Sequence, residues 1–330
     1  MKKRILFFFI TFLIACILIY FVFKKIGAKE IWQTFLSFSP IGIFVGAILT
    51  MLLASIGIWR WKVVLKDRGC PLSFKELILP WLGGMAAAYF TPVAVLGDEA
   101  FKIYFLKEKF SIPLKKATSS VFIEDSILEG SIFLSTIFLG IIFFILRTMA
   151  IPLELWMIIL ILLFPIGGII FFYFKAFKNQ SIVKLIEGIL KKFLGHRLTN
   201  GAINYEKEVF NFFKTQNKNL WEGVLLSLFY GVVNLIRSWT ILWFLGLKIN
   251  LITALSVVAF TNLAYLLPLP AGLGSLETIQ ALVFSPLGLT PQAAVSFSLI
   301  LRAFDSILYS IGFLFTLRYG TKQIKREIFN

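Results

Sequence analysis

The sequence predicts an all-α polytopic membrane protein, with about six full spans and two re-entrant broken-helix segments arranged as inverted repeats. Three observations predict it. Of 330 residues, 58% are hydrophobic and only 15% charged, where soluble domains carry about a quarter charged residues. Stretches of about twenty apolar residues recur, the length a helix needs to cross a ~30 Å hydrocarbon core. Two further apolar segments are interrupted by proline and glycine. Irregular backbone of that kind survives inside a membrane only where protein buries it or water reaches it. An ordinary soluble enzyme, a disordered chain and a disulfide scaffold are all excluded.

The first span is residues 5–23, behind Lys2-Lys3-Arg4. It is longer than the apolar core of a signal peptide and has no small-residue cleavage site, so it reads as a retained helix. Further spans are predicted over 41–59, 120–146, 153–174, 220–246 and 291–317. Segment A, residues 77–97, is interrupted by Pro80, Gly83-Gly84 and Pro92. Segment B, residues 251–284, is too long for one straight span and is broken by Pro268-Leu269-Pro270 and Gly272-Leu273-Gly274. Prolines remove backbone donors and glycines permit unwound geometry. Discontinuous helices of this kind mark binding sites in transporters.

Charge sets the topology. The 33 Lys and Arg against 17 acids give +16, which in a membrane protein reads as cytoplasmic loops on an anionic leaflet rather than nucleic-acid binding. With both broken segments re-entrant and the N-terminus inside, 26 Lys and Arg fall inside and five outside. If both segments crossed, the split would be 14 to 17. The re-entrant arrangement follows, with both termini cytoplasmic and the chain a multi-pass protein of the cell (cytoplasmic) membrane.

The chain divides into a first helix and connection (1–40), repeat 1 (41–146), a cytoplasmic segment (175–219) and repeat 2 (220–317), all one integral membrane domain. Within 175–219, Ile182, Leu185, Ile186, Ile189, Leu190, Phe193 and Leu194 follow helical amphipathic spacing, with lysines on the remaining face. A basic helix lying in the interface is expected. The repeat rests on Tyr89-Phe90-Thr91-Pro92 against Tyr265-Leu266-Leu267-Pro268, and on Asp125-Ser126-Ile127-Leu128 against Asp305-Ser306-Ile307-Leu308. Trp32, Trp59, Trp61, Trp156 and Trp221 fall near span ends and read as interfacial anchors.

Ionisable residues within spans are the strongest functional signal, since each costs ~2.5–3.5 kcal/mol near a helix centre on insertion scales. Asp125 and Glu129 stand four apart, Arg302 and Asp305 three apart, and Arg237 lies one turn after Asn234. Two readings stand: ion pairs that lock helices, or a headgroup path in which arginine forks grip phosphate. The run from Gly272 through Gly274 and Ser275 to Glu277 opens a helix, whose exposed N–H groups can receive a phosphate. The competing reading is a tight turn capped by Glu277. Asp98, Glu99 and Lys102 fall at the expected cytoplasmic mouth. One histidine, His196, and two unrelated cysteines make zinc, redox chemistry and histidine catalysis poor expectations. No cofactor, metal site or catalytic motif is expected.

These residues resemble the transmembrane domain of lysylphosphatidylglycerol synthases, the flippase-like or UPF0104 family. The resemblance rests on Arg60-Trp61, Pro92 with Gly97-Asp98, Glu124, and Asn262 followed by Pro268-Leu269-Pro270-Ala271-Gly272-Leu273-Gly274-Ser275-Leu276-Glu277, with Arg302 downstream. It spans roughly residues 40–320. Asp125 and Lys102 stand where that pattern leads one to expect arginines. The resemblance implies a flippase that moves a phospholipid or lipid-linked headgroup between leaflets, with anionic or phosphate-bearing lipids as partners and room for an oligomer. It does not carry lipid aminoacylation with it. The alternative expectation is a membrane enzyme or accessory protein of polyprenyl-phosphate, glycolipid or cell-envelope biosynthesis.

Overall fold

The computed structural model describes residues 36–90, 94–148, 153–214 and 216–329, with Lys29, Trp32 and Gln33. The predicted first span, 5–23, and Pro92 lie outside the described residues. Among those described there are helices and no strands.

Helix α1 (Pro40–Asp67) leads to a packed pair, α2 (Phe74–Phe90) and α3 (Ala94–Phe110). A long helical run follows: α4 (Leu114–Val121), a π-helical segment (Phe122–Glu129) and α5 (Gly130–Thr148). Next come α6 (Leu153–Phe177), a short 3₁₀ turn (Val183–Ile186) and α7 (Glu187–Phe210). The order then recurs. Helix α8 (Lys218–Phe244) is followed by α9 (Leu251–Tyr265), a 3₁₀ turn (Pro270–Gly272), α10 (Ser275–Phe284) and the long α11 (Pro291–Phe329).

Among the described residues, four helical stretches are long and apolar enough to cross a bilayer: Pro40–Asp67, Leu114–Thr148, Lys218–Phe244 and Pro291–Arg318. They coincide with four predicted spans. The predicted fourth span is α6, of which Leu162–Phe177 is a shorter apolar helix. Apolar side chains such as Phe44, Met51, Leu225, Val232, Ile307 and Leu314 stand exposed on these helices. An outward apolar surface on that scale needs lipid as its solvent.

Local signals start the helices. Ser73 donates from N and Oγ to the Glu76 carboxylate at 2.8 and 2.7 Å, a capping box that opens α2. Asn250 accepts from Thr253 N at 2.9 Å and opens α9. The break in segment B falls where the sequence puts it, between Tyr265 and Ser275. Segment A differs. Helix α2 runs unbroken through Pro80, Gly83 and Gly84. These glycines serve close approach instead: a Cβ on Gly84 would lie 2.0 Å from Asp98 Oδ1, and one on Gly83 2.6 Å from the Phe101 ring.

The packing is reciprocal. Helices α1 and α8 pack on each other; α2 packs on α11, and α9 on α5. Each second arm meets its own following helix, α3 on α4 and α10 on α11. One core gathers Trp61, Leu65, Trp81, Leu106 and Val121; another gathers Ala264, Leu276, Phe284, Phe297 and Leu301. A third ties Phe210, Phe212 and Phe213, at the end of the 175–219 segment, to Ile123, Leu128 and Leu220. Ala176, Phe177 and Ile182, at the start of that segment, join the same core, so it is a bent element anchored at both ends. Gly195, at φ 76°, breaks α7, and Leu185, Ile186 and Phe193 stay exposed.

Trp59 and Trp221 are half exposed, as interfacial anchors would be. Trp61 corrects that expectation: it is fully buried against the first helix pair. The side chain of Trp156 is outside the described residues.

The close helix contacts depend on small residues. A Cβ on Gly312 would stand 2.0 Å from the Leu82 carbonyl oxygen, and one on Gly140 2.3 Å from the Ala259 Cβ. Neither neighbour can swing away. Gly312→Ala and Gly140→Ala should each lose about 1–3 kcal/mol, as overpacked sites do. Gly167→Ala, with nothing within 4 Å, should lose none. Thermal melting of the three purified variants in detergent checks this.

Candidate functional site

Among the described residues, each helix–pair–helix unit holds a group of buried charge. In the first, Arg60 of α1 bonds Glu124 through Nη2 at 2.7 Å and Nε at 3.1 Å, and also bonds Glu129. Lys102 of α3 bonds Asp98 at 2.9 Å, Glu124 at 3.1 Å and Asp125 at 2.7 Å. Arg60, Lys102 and Glu124 have no exposed surface. The Lys102 ammonium lies 5.5 and 5.8 Å from the Trp61 and Trp81 ring centres, and the Arg60 guanidinium 5.3 Å from that of Tyr230. Cation–π attraction is strongest where water is excluded, as it is here.

The π-helical segment explains why these acids divide as they do. The Gly130 N–H bonds the Asp125 carbonyl, an i to i+5 step. Wider turns put residues five apart on one face. Glu124 and Glu129 thus share Arg60, while Asp125 turns to Lys102. Asp125 and Glu129, read from their spacing as neighbours, do come together, and Glu124, which also bonds Lys102, joins them.

In the second group, Arg237 of α8 bonds Asp305 of α11 at 2.8 Å, with Asn234 at 3.3 Å and Thr50 at 3.4 Å. Tyr265, at the end of α9, donates to Asp305 at 3.3 Å. Arg302 of α11 grips Glu277 of α10 with both Nη atoms, at 2.5 and 2.9 Å, and donates to the Gly272 carbonyl at 2.9 Å. Arg302 and Asp305, three apart in sequence, therefore do not pair with each other. Residues three apart on a helix stand side by side, but each here faces a different neighbouring helix.

The glycine loop is a tight turn. Ala271, Gly272 and Gly274 all have positive φ, and the Gly274 N–H donates to Glu277 at 3.0 Å. Ser275 Oγ donates to carbonyls of Ala264 and Gly272. Glu277 thus caps the helix start and is paired to Arg302 at once. Asn262 is buried on α9, whereas Pro268 is exposed beside Leu266 and Leu267.

Asp98 and Lys102, expected at a solvated mouth, are 8% and 0% exposed. Sequence reasoning did not single out Arg60 and Lys102 as site residues. The signal was the run of acids at 124, 125 and 129, which in an apolar environment requires cations from other helices. Glu124, Asp125 and Glu129 have oxygens within 4.8 Å of one another, the spacing of a cation site, and the cations there are Arg60 and Lys102. His196 is exposed, away from both groups.

The whole chain now fits one known family. Residues 8–312 match the family described as lysylphosphatidylglycerol synthase TM region. The chain belongs to this family. A UPF0104 membrane protein of Methanocaldococcus jannaschii is 28% identical over 97% of this chain and 95% of its own. UPF0104 membrane proteins of Methanothermobacter thermautotrophicus and Pyrococcus horikoshii are 21% and 24% identical, over 84% and 78% of this chain and 85% and 82% of theirs. Membership places the chain among multi-pass membrane proteins and gives it a lipid-related setting.

The pairing makes a specific energetic prediction. Removing one partner of a buried ion pair costs about 3–5 kcal/mol, and partners in contact show coupling of about 0.5–3 kcal/mol. Double-mutant cycles on unfolding should find Asp305→Asn coupled to Arg237→Gln, and Glu277→Gln coupled to Arg302→Gln. Asp305→Asn and Arg302→Gln, helix neighbours without a bond between them, should couple more weakly than either of these pairs.

Proposed function

We propose that the protein is a lipid flippase-like transporter that passes a phosphate-bearing headgroup across the bilayer without altering it chemically. The observation that carries this reading is the Arg302–Glu277 pair, a guanidinium fork held between the broken segment and the long helix α11. A headgroup in hydrocarbon faces the same cost as a buried charge. A phosphate can replace the Glu277 carboxylate on the fork, because both accept bidentately.

On this reading the two helix pairs, α2–α3 and α9–α10, are re-entrant elements of inverted repeats that meet near the midplane. The reciprocal packing of α2 on α11 and α9 on α5 supports it. So does length: the ten residues of α10 rise about 15 Å, half of a ~30 Å core. Clefts of about 540 Å³ beside Trp221 and Phe229, and about 510 Å³ beside Asn179 and Glu206, lie away from Arg302. Arg302 and Glu277 are 8% and 1% exposed, so on this reading a headgroup reaches the fork when the α9–α10 pair moves against α11.

Two measurements test the reading. Cysteines replacing Lys109 and Lys192 should be labelled by an impermeant reagent from the cytoplasmic side only, and one replacing Arg147 from the other side only. Opposite-side labelling at 68 and 109 would show that the first broken segment crosses. In proteoliposomes, wild-type protein should move fluorescent phospholipid between leaflets. The double variant Arg302→Gln/Glu277→Gln leaves no unpaired charge and should stay folded, yet slow movement by at least about tenfold, a loss of about 1.4 kcal/mol. Full transport by a folded double variant would reduce the pair to a structural clamp.

A further inference from the structure

The first charge group is not balanced. Two cations, Arg60 and Lys102, face four carboxyl groups, Asp98, Glu124, Asp125 and Glu129, within one connected network. The second group pairs one to one, Arg237 with Asp305 and Arg302 with Glu277. Among the described residues, other helices bring no further cation to the first group. Tyr230 from α8 lies under Arg60, Tyr173 of α6 lies nearby, and Trp61 and Trp81 flank Lys102. Glu99, next in sequence to Asp98, bonds Ser126 at 2.8 Å instead.

The hydrogen bonds of the group are incomplete. Asp125 Oδ2 and Asp98 Oδ1 are buried without a donor, and the fully buried Arg60 has its Nη1 without an acceptor. Asp98 Oδ1 lies against Gly84, where a Cβ would come within 2.0 Å of it. A buried ionised oxygen with no donor is costly, and like-charged carboxylates sharing a site retain a proton. Glu124, Asp125 and Glu129, with oxygens within 4.8 Å of one another, are such a site. The group is not sealed: the Glu129 side chain is 26% exposed and that of Asp125 12%.

We infer that the Asp98–Glu124–Asp125–Glu129 group holds one exchangeable proton, seated on Asp125, and that this proton is the coupling ion of lipid transport. In each cycle Asp125 releases the proton to water on one side of the bilayer and takes one up from the other, so one proton crosses per lipid and no co-reactant is needed. When it is on, Asp125 is a neutral donor and the group carries one net negative charge. When it is off, the group carries two, and Lys102 is drawn more tightly to the acids. Lys102 stands on α3, so this step pulls on one arm of the first helix pair. The coupling rests on the transport reading above; the proton site does not.

The experiment is read on the full chain in lipid nanodiscs and then in vesicles. Infrared spectra at neutral pH should show the carbonyl band of a protonated carboxyl group that shifts in D₂O. It should vanish in Asp125→Asn, which mimics the protonated side chain and should stay folded, and persist in Glu99→Gln. Absence of that band from wild-type protein, or its survival in Asp125→Asn, overturns the site. In vesicles, a one-unit pH difference should shift the steady-state leaflet ratio of a labelled phospholipid about tenfold for one proton per lipid. Asp125→Asn should move lipid without that shift. Wild-type movement indifferent to a proton gradient, or driven by a sodium gradient instead, overturns the coupling. No lipid movement at all, with the Asp125 band intact, would sink the transport reading and leave the proton site standing.

Discussion

Everything in the bundle depends on one constraint: a charge buried in an apolar protein must find its partner on another helix. Arg60 of α1 meets two acids of the π segment, Glu124 and Glu129, because the wider turn there puts residues five apart on one face. Helix α3 is held to the same acids through Lys102, so one group ties three elements together. In the second unit Arg237 ties α8 to α11, and Arg302 ties α10 to α11. A ten-residue helix such as α10 buries too little to fix its own position. The charge pairs supply direction where apolar packing supplies only cohesion, because hydrophobic contact is non-directional and a guanidinium fork is not.

The two units solve the same problem with opposite signs. In the first, the second arm of the helix pair brings a cation, Lys102, to acids on the following helix. In the second, that arm brings an acid, Glu277, to an arginine on the following helix. An arm docked against the wrong long helix would place Lys102 beside Arg302, or Glu277 beside Glu124. Like charges in a water-poor interior repel strongly, so the sign reversal specifies which arm seats where. Small residues then let the correct partners close, as at Gly84 under Asp98 and Gly312 under the Leu82 backbone.

Spans and breaks were largely legible in the sequence, because apolar length and the Pro268–Gly274 punctuation act locally. Pro80 and Gly83-Gly84 misled for the same reason: read locally they break a helix, but α2 is held on its buried side by Leu77, Trp81 and Leu82 and the glycines serve a neighbour. Buried charges at 124, 125, 237, 302 and 305 were legible as residues and not as pairs. Pairing is set by which helix each side chain faces. Across α4 and α5 the π segment shifts that facing by a residue. Arg60 and Lys102 sat in stretches rich in basic residues, where composition suggests a solvated loop. Only the tertiary fold shows both to be fully buried.

The same pairs that hold the fold would make transport feasible. A buried pair gains little net stability over an apolar replacement, but losing one partner is expensive. A ligand that supplies the missing partner therefore exchanges one paired state for another at small net cost. Arg302 meets that condition: its fork is filled by Glu277 and the Gly272 carbonyl, both on the broken segment. If α9–α10 moves, it takes both acceptors with it and leaves the fork open to an anionic headgroup. Glu277 would then need its own compensation, and the Gly274 N–H that already bonds it moves with it on the same turn. The segment thus carries its acid and part of that acid's solvation as one unit. On the transport reading proposed above, an arginine on α11 and an acid on the α9–α10 segment are the arrangement in which motion and anion binding would exclude each other least.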